Sequence, residues 1–577
     1  MSKELKEIAK AYALLNAKKY DGKANAKAVL GQILGNYPEY RDPEKRKIAG
    51  QVVGIIIKEI DKMSLEAIDA EIATLPPEFQ AQKKPVEKKE LPPLHNADHS
   101  IIMRLAPFPS GPLHIGNARM VILNDYYVKR YKGKLLLVFD DTIGSEEKSI
   151  VPDAYDMIVE SLDYLGVKYH KKIYKSDRID KTYSWCKKAI EQDIAYVCTC
   201  PAQEWRDTYK LNKRPCPHRE QAIETNLNEW EKMLNGDYEE RQAVVRLKIG
   251  MDHKDPAMRD PVMMRIAKRS HPRVGTKYIV WPLLEFSWAI DDHLLGITHI
   301  LRGKDLIKED NIERWVWEQF NWPILEILHY GLITFGDLKL SKSYSRRMIE
   351  SGVYRGWDDP RTWSIQSLIK RGTKPDAIRE AIMSLSLSMV DIEYDPLNLY
   401  AINKKYIDPI APRYFFVPNP QLLFIRELPH PEMAAHPLIH PEQPEKGKRT
   451  IALPISQGTA EVFISDSDVN SLQIGSIVRL KDLCNIKILE KNGSIKAEFS
   501  SKAMEDARQI NAPIIQWVPH TDNVKIQVLM PNGTLIKGMG ESACKNLKVD
   551  QIIQFERFGF GKVNQTSPDI VIFFAHK

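Results

Sequence analysis

The stretch that decides the fold is RLAPFPSGPLHIGNARM, residues 104–120. The apolar run SIIMRLA, residues 100–106, leads into it and reads as a buried strand. Pro107, Pro109, Gly111 and Pro112 make a turn. A helix is then predicted from about residue 113 to 131. Backbone N–H groups at a helix start lack partners, and the dipole there favours anions. Gly116 lets a flat ring or a phosphate approach the backbone. His114 and Asn117 fall one turn apart on the same face. A phosphate is the natural guest of such a turn, although a purely structural strand–turn–helix has the same pattern.

Working outward, LLLVF at 135–139 reads as a second buried strand and 151–165 as a helix. Strand-like runs return at 278–280 and 296–301, followed by a helix near 312–320 and a strand at 331–335. Alternating strands and helices imply a parallel sheet. A second polar loop, GDLKLSKS at 336–343, follows the last of these strands. Lys339 and Lys342 put two ammonium groups near a would-be polyphosphate, and Ser341 and Ser343 add hydroxyls.

Length and composition frame the rest. The chain has 577 residues, 43% apolar and 28% charged, which is globular rather than disordered. That length suits three to five domains. No apolar run is long enough to span a membrane, and the start carries no secretory h-region. Six cysteines make no disulfide framework, so a reducing cytoplasm is expected. The net charge of +7 permits a polyanionic partner without requiring one.

Residues 1–75 carry helical spacing, for instance Leu5, Ile8, Tyr12 and Leu15, then Leu65, Ile68 and Ile72. Residues 76–99 are rich in Pro and Lys and read as a linker. The charged, irregular stretch 197–270 looks like an insertion between two halves of the sheet domain, 100–196 and 271–345. Residues 346–400 read as helical. Short strand-like runs in 401–577, separated by Gly, Asn and Asp, suggest antiparallel barrels. His430, His436 and His440 there match no ligand spacing.

Together, HIGN and KLSKS resemble the two signature motifs of the class I aminoacyl-tRNA synthetases. FDDT (139–142), DDHLLGITHILRGKD (291–305), WDDPR (357–361) and IDPIAPRYFFVP (407–418) are similar to the glutamyl/glutaminyl subgroup. A barrel-type C-terminal region is similar to the archaeal and eukaryotic glutamyl type.

The resemblance implies a Rossmann-type catalytic domain with an acceptor-binding insertion, a helical stem-contact region and anticodon-binding β-barrels. It implies ATP with Mg²⁺, L-glutamate and tRNA(Glu) as substrates and ion, and a monomer. By motif match, His114 and Asn117 contact ATP phosphate and ribose, and Gly116 underlies the adenine. Asn117 replaces the more usual His. Ser341 belongs to the same ATP site. Lys342 is the main transition-state cation, assisted by Lys339. Asp140 holds the substrate α-ammonium, Arg104 binds the amino acid, and Arg302 faces its side-chain carboxylate. Structural salt bridges are the alternative roles for the two arginines, and Asp141 reads as structural. Phe108, Leu284 and Trp288 depart from the family pocket, which keeps a glutaminyl enzyme open. Charging of tRNA(Gln) with glutamate also stays open, as does a non-catalytic tRNA-binding paralogue.

Cys198, Cys200, Cys216 and His218 form CxC…CxH, a donor set suited to a structural tetrahedral Zn²⁺. Cys186, Cys484 and Cys544 have no such spacing. Arg346, Arg347, Lys370 and Arg371 are candidate tRNA contacts. The N-terminal helical domain is expected to aid tRNA binding or dock a partner protein.

Overall fold

The computed structural model describes residues 3–19, 22–76, 79, 90–97, 100–144, 149–335, 338, 340–429, 431–491 and 495–577. Most of the expected linker, Lys339 and His430 lie outside the described residues. The chain divides into two compact units, Met1–Glu90 and Leu91–Lys577.

The first unit holds four α-helices, Lys3–Lys19, Ala26–Asn36, Pro43–Ile60 and Leu65–Ala73. Side chains of Asn25, Asp42 and Ser64 accept backbone N–H bonds at three of the helix starts. Leu5, Ile8, Ile56, Ile60 and Ile68 enter one core, as the periodicity predicts. Leu65 does not. It occupies the first helical position after the Ser64 cap and is exposed.

The second unit begins with a parallel sheet of Ile102–Leu105, Lys134–Phe139 and Lys171–Tyr174. A parallel pair, His299–Gly303 with Glu326–Tyr330, adjoins it. The Thr298 N–H donates to the Ile102 carbonyl at 2.9 Å and stitches the two edges. Period-2 geometry explains the continuous apolar run of the second strand. Leu135, Leu137 and Phe139 enter one core, while Leu136 and Val138 enter the other. The strand Glu326–Tyr330 escaped the sequence reading, which placed a strand at 331–335. There only Ile333–Thr334 is extended, pairing with Ile392–Glu393.

The insertion is a four-stranded antiparallel sheet, Ala195–Cys198, Val244–Leu247, Val262–Ile266 and Val280–Pro282. Its last strand was expected in the second half of the parallel-sheet domain. It lies here because Met264, Arg265 and Ile266 pair with Pro282, Trp281 and Val280 in antiparallel register.

Helices Lys342–Glu350, Ile365–Arg371, Pro375–Ser384 and Pro396–Ile407 lead into two seven-stranded sheets. Arg413–Tyr414 and Phe416–Pro418 open one sheet, and residues 523–576 complete it. The other, built from residues 420–519, is inserted between those parts. Both were expected to be antiparallel. Each is mostly so, yet each carries parallel pairings as well. One runs Leu423–Arg426 beside Ile495–Glu498, and another runs Ile526–Leu529 beside Ile570–Phe573. Spacing along a chain reveals hairpins but not these long-range neighbours.

Candidate active site

The turn after the first strand delivers His114 as the N-cap of the helix Ile115–Arg130. The Asn117 side chain accepts the His114 backbone N–H at 3.2 Å, locking the entry to the helix. The flat ring lying on Gly116 is the histidine's own. A Cβ at Gly116 would stand 3.0 Å from the imidazole. The residue is half-buried, and its buried Nδ1 has no hydrogen-bond partner among the described residues. Burial, and then the Lys342 ammonium, push its pKa down to about 3. His114 is therefore neutral at pH 7 and can offer a hydrogen bond but not a charge.

The charge comes from the facing loop. Lys342 Nζ donates to the Gly111 carbonyl at 3.2 Å. Lys342 opens the helix Lys342–Glu350, and the Ser341 hydroxyl caps it by accepting from Tyr344 N–H. Ser341 therefore works as a helix cap. A cleft of about 550 Å³ brings together His114, Gly116, Asn117, Lys342 and Ser343 with Arg104, Asp140 and Arg302. Phe108, Leu284 and Trp288 line it too.

Asp140 ends the second strand at the carboxyl edge, where open α/β sheets bind ligands. Lys175 Nζ lies 3.3 Å from its Oδ1. Asp141 is turned away from the cleft. It accepts bonds from Ser176 N–H (2.9 Å), Ser176 Oγ (2.7 Å) and Tyr155 OH (3.0 Å), which accounts for it as structural.

Both arginines are heavily engaged. Arg104 makes a two-point bond to Asp292, at 2.5 and 2.7 Å, and its guanidinium carbon stacks 3.6 Å over the Trp288 ring. Arg302 donates to Asp310 and to both oxygens of Glu313. Four of the five guanidinium N–H groups are used in this way. Arg302 thus meets the cleft with a mostly committed fork.

The sequence reading missed Lys175 and Arg178. They lie in IYKSDR, immediately after the third parallel strand, Lys171–Tyr174. Their position at the carboxyl edge was the available signal.

In the insertion, the donor atoms of Cys198, Cys200, Cys216 and His218 all lie within 4.8 Å of one another. Cys198 and Cys216 sulfurs are 3.9 Å apart. A tetrahedral zinc with bonds of ~2.3 Å needs sulfurs about 3.8 Å apart, so the spacing fits. His218 Nδ1 faces Cys200 Sγ at 3.3 Å, while its Nε2 bonds Thr199 Oγ1 at 2.8 Å. That outer bond orients the ring with Nδ1 toward the cluster. No other group of this kind occurs among the described residues. His440 is buried and bonds the Asp408 carbonyl at 2.9 Å.

Of the candidate RNA contacts, Arg347 is exposed and Arg346 reaches the 550 Å³ cleft, bonded to Ser149. Arg371 is excluded. It is fully buried and donates to the Phe574 and Ala575 carbonyls and to Tyr400 OH. A larger cleft, of about 1080 Å³, draws Arg413, Arg479, Lys481 and Arg557 from both seven-stranded sheets. No helix among the described residues is long and apolar enough to cross a membrane.

Three family models match the chain. "tRNA synthetases class I (E and Q), catalytic domain" covers residues 100–409. Two anticodon-binding domains of the same group cover 411–502 and 514–564. The glutamate--tRNA ligase of Pyrococcus furiosus is 42% identical over the whole of both chains. That of Methanocaldococcus jannaschii is 42% identical over 98% of this chain and 99% of its own. A glutamate-tRNA synthetase structure from Elizabethkingia anophelis aligns with a TM-score of 0.41 at 19% identity. It covers 54% of this chain and 71% of that one.

Proposed function

The chain belongs to the class I tRNA synthetases of the glutamate and glutamine group, and from that premise we propose how it ligates L-glutamate to tRNA(Glu). The reaction uses ATP with Mg²⁺. The glutamate α-carboxylate attacks the α-phosphorus and pyrophosphate leaves; a ribose hydroxyl of the tRNA acceptor end then attacks the carbonyl carbon of the glutamyl-adenylate, forming the ester and releasing AMP. Neither step needs a protein nucleophile. Catalysis is positioning plus stabilisation of phosphate charge.

The observation that carries this reading is the convergence of His114, Lys342, Asp140 and Arg104 on one cleft. ATP phosphates sit at the start of the helix Ile115–Arg130, against the neutral His114 and the Lys342 ammonium. Asp140 receives the α-ammonium of glutamate. Arg302 offers its remaining N–H to the side chain. The anticodon lies in the basic cleft between the two seven-stranded sheets, where the two anticodon-domain matches meet.

Aminoacylation of purified tRNA(Glu) and tRNA(Gln) with each amino acid tests the reading. Glutamate on tRNA(Glu) is expected, and a preference for glutamine overturns it. The tRNA(Gln) arm decides whether the enzyme discriminates between the two acceptors.

The insertion holds one structural Zn²⁺ through Cys198, Cys200, Cys216 and His218, which pins a loop-rich segment beside the acceptor end. Metal analysis of the purified protein is expected to give one zinc per chain. Cys216→Ser is expected to lose it and to melt at lower temperature. A metal-free protein with an unchanged melt would dispose of this site.

A further inference from the structure

We infer that Glu313 is a positioning residue of the amino-acid pocket, which takes up one proton from solvent as the substrate's side-chain carboxylate reaches Arg302. This role rests on the function proposed above and deepens it.

Arg302 Nε and Nη2 donate to Asp310 Oδ1. Nη1 donates to Glu313 Oε1 at 2.9 Å, and Nη2 to Glu313 Oε2 at 2.8 Å. A single N–H, on Nη1, is left for the substrate. The charged groups around Glu313 come from every side. Asp310 shares its helix, Ile307–Gln319. Arg302 projects from the strand His299–Gly303. His329, on the neighbouring strand, lies with Nε2 3.0 Å from Asp310 Oδ2. Asp292, on the helix Leu284–Leu294, and Arg104, on the strand Ile102–Leu105, act on Glu313 through space. Beyond them, Lys175 and Arg178 pair with Asp140 and Asp291.

The balance of charge decides which group yields. Before any substrate enters, the guanidiniums of Arg104 and Arg302 face three carboxylates, Asp292, Asp310 and Glu313. A substrate carboxylate at Arg302 would be the fourth. Carboxylates crowded together away from water do not all stay ionised. Asp310 keeps its charge. Burial acts to raise it, yet the His329 bond and Arg302 hold it below the usual carboxylate range. Glu313 is 0% exposed, and both of its oxygens rest on Arg302. Burial outweighs that pairing and pushes its carboxyl up to about 7. A proton on Oε1 removes the charge opposite Nη1 and leaves that nitrogen's N–H groups to the substrate carboxylate. An amide side chain brings no charge and calls for no proton.

The test is the pH profile of kcat/KM for glutamate from pH 6 to 8, at saturating ATP and tRNA(Glu). Wild-type enzyme is compared with Glu313→Gln, which imitates the protonated form. The wild-type value is expected to fall about tenfold across that range, because kcat/KM reports the ionisation of the free enzyme. Glu313→Gln is expected to lose the fall. A flat wild-type profile, or a folded variant that keeps the slope, overturns the inference.

Should the variant not fold, calorimetry at pH 8 in two buffers of different ionisation enthalpy counts the protons. Wild-type enzyme and His329→Gln are each expected to take up about one proton per glutamate bound, and none with glutamine. No uptake with glutamate, equal uptake with glutamine, or uptake lost in His329→Gln overturns the inference. Wild-type enzyme that charges no glutamate at any pH would instead sink the proposed function, so the two failures are separable.

Discussion

Lys342→Ala is expected to slow glutamyl-adenylate formation at least a hundredfold without unfolding the protein. ATP–pyrophosphate exchange in the presence of tRNA measures the rate, and a thermal melt checks the fold. His114 is held neutral, so it supplies no charge to the phosphates. Lys342 does, and it sits where a lysine is electrostatically misplaced. It occupies the first turn of its helix, where the dipole favours anions. A cation kept at that end makes sense when an anion is to be shared between the ammonium and the helix start. One preorganised donor of this kind is worth roughly 2.7–4 kcal/mol in the transition state, a factor of about 10²–10³. Alanine is a good helix former, so the helix tolerates the change. Exchange near the wild-type rate would remove Lys342 from the chemistry.

Asp140→Asn is expected to cost both activity and stability, and the two losses can be pulled apart. Removing one member of a buried ion pair costs about 3–5 kcal/mol, because the other charge stays behind in low dielectric. Here that charge is the Lys175 ammonium. The glutamate α-ammonium loses its carboxylate in the same stroke, so kcat/KM for glutamate should drop by about 10²-fold or more on the same scale. The double variant Asp140→Asn, Lys175→Met removes the stranded charge. It should recover much of the melting temperature and little of the activity. Full activity in either variant would show that Asp140 does not hold the substrate.

The first two strands of the parallel sheet and the helix between them were legible because their signals are local, whereas the strands Lys171–Tyr174 and Glu326–Tyr330 were not. The run at 135–139 announces a strand buried on both faces, and Leu135 and Leu136 do point into different cores. The place of His114 at a helix start and the clustering of Cys198, Cys200, Cys216 and His218 were legible from short spacing. What escaped depends on residues far apart in sequence. Nothing near Arg104 says that Asp292 will take its guanidinium, 188 residues on. Arg371 reads as a surface charge until the strand Ile570–His576 is laid over it. Lys175 reads as a loop lysine until Ser287 and Trp288 close around it. Burial of a charged side chain is a property of the assembled core, and a helical or strand pattern carries no trace of it.

The sheet that begins at Arg413 places Ile570–His576 between Gly559–Gln565 and Asn523–Leu529, in its interior. During synthesis, therefore, the early strands of that sheet must wait while the entire intervening sheet is made and folded. The Arg371 guanidinium waits with them, since two of its acceptors are carbonyls of that late strand. A nascent chain interrupted before residue 570 would leave this arginine with Tyr400 OH but without its two carbonyl acceptors. That dependence ties the order of biogenesis to a single buried side chain.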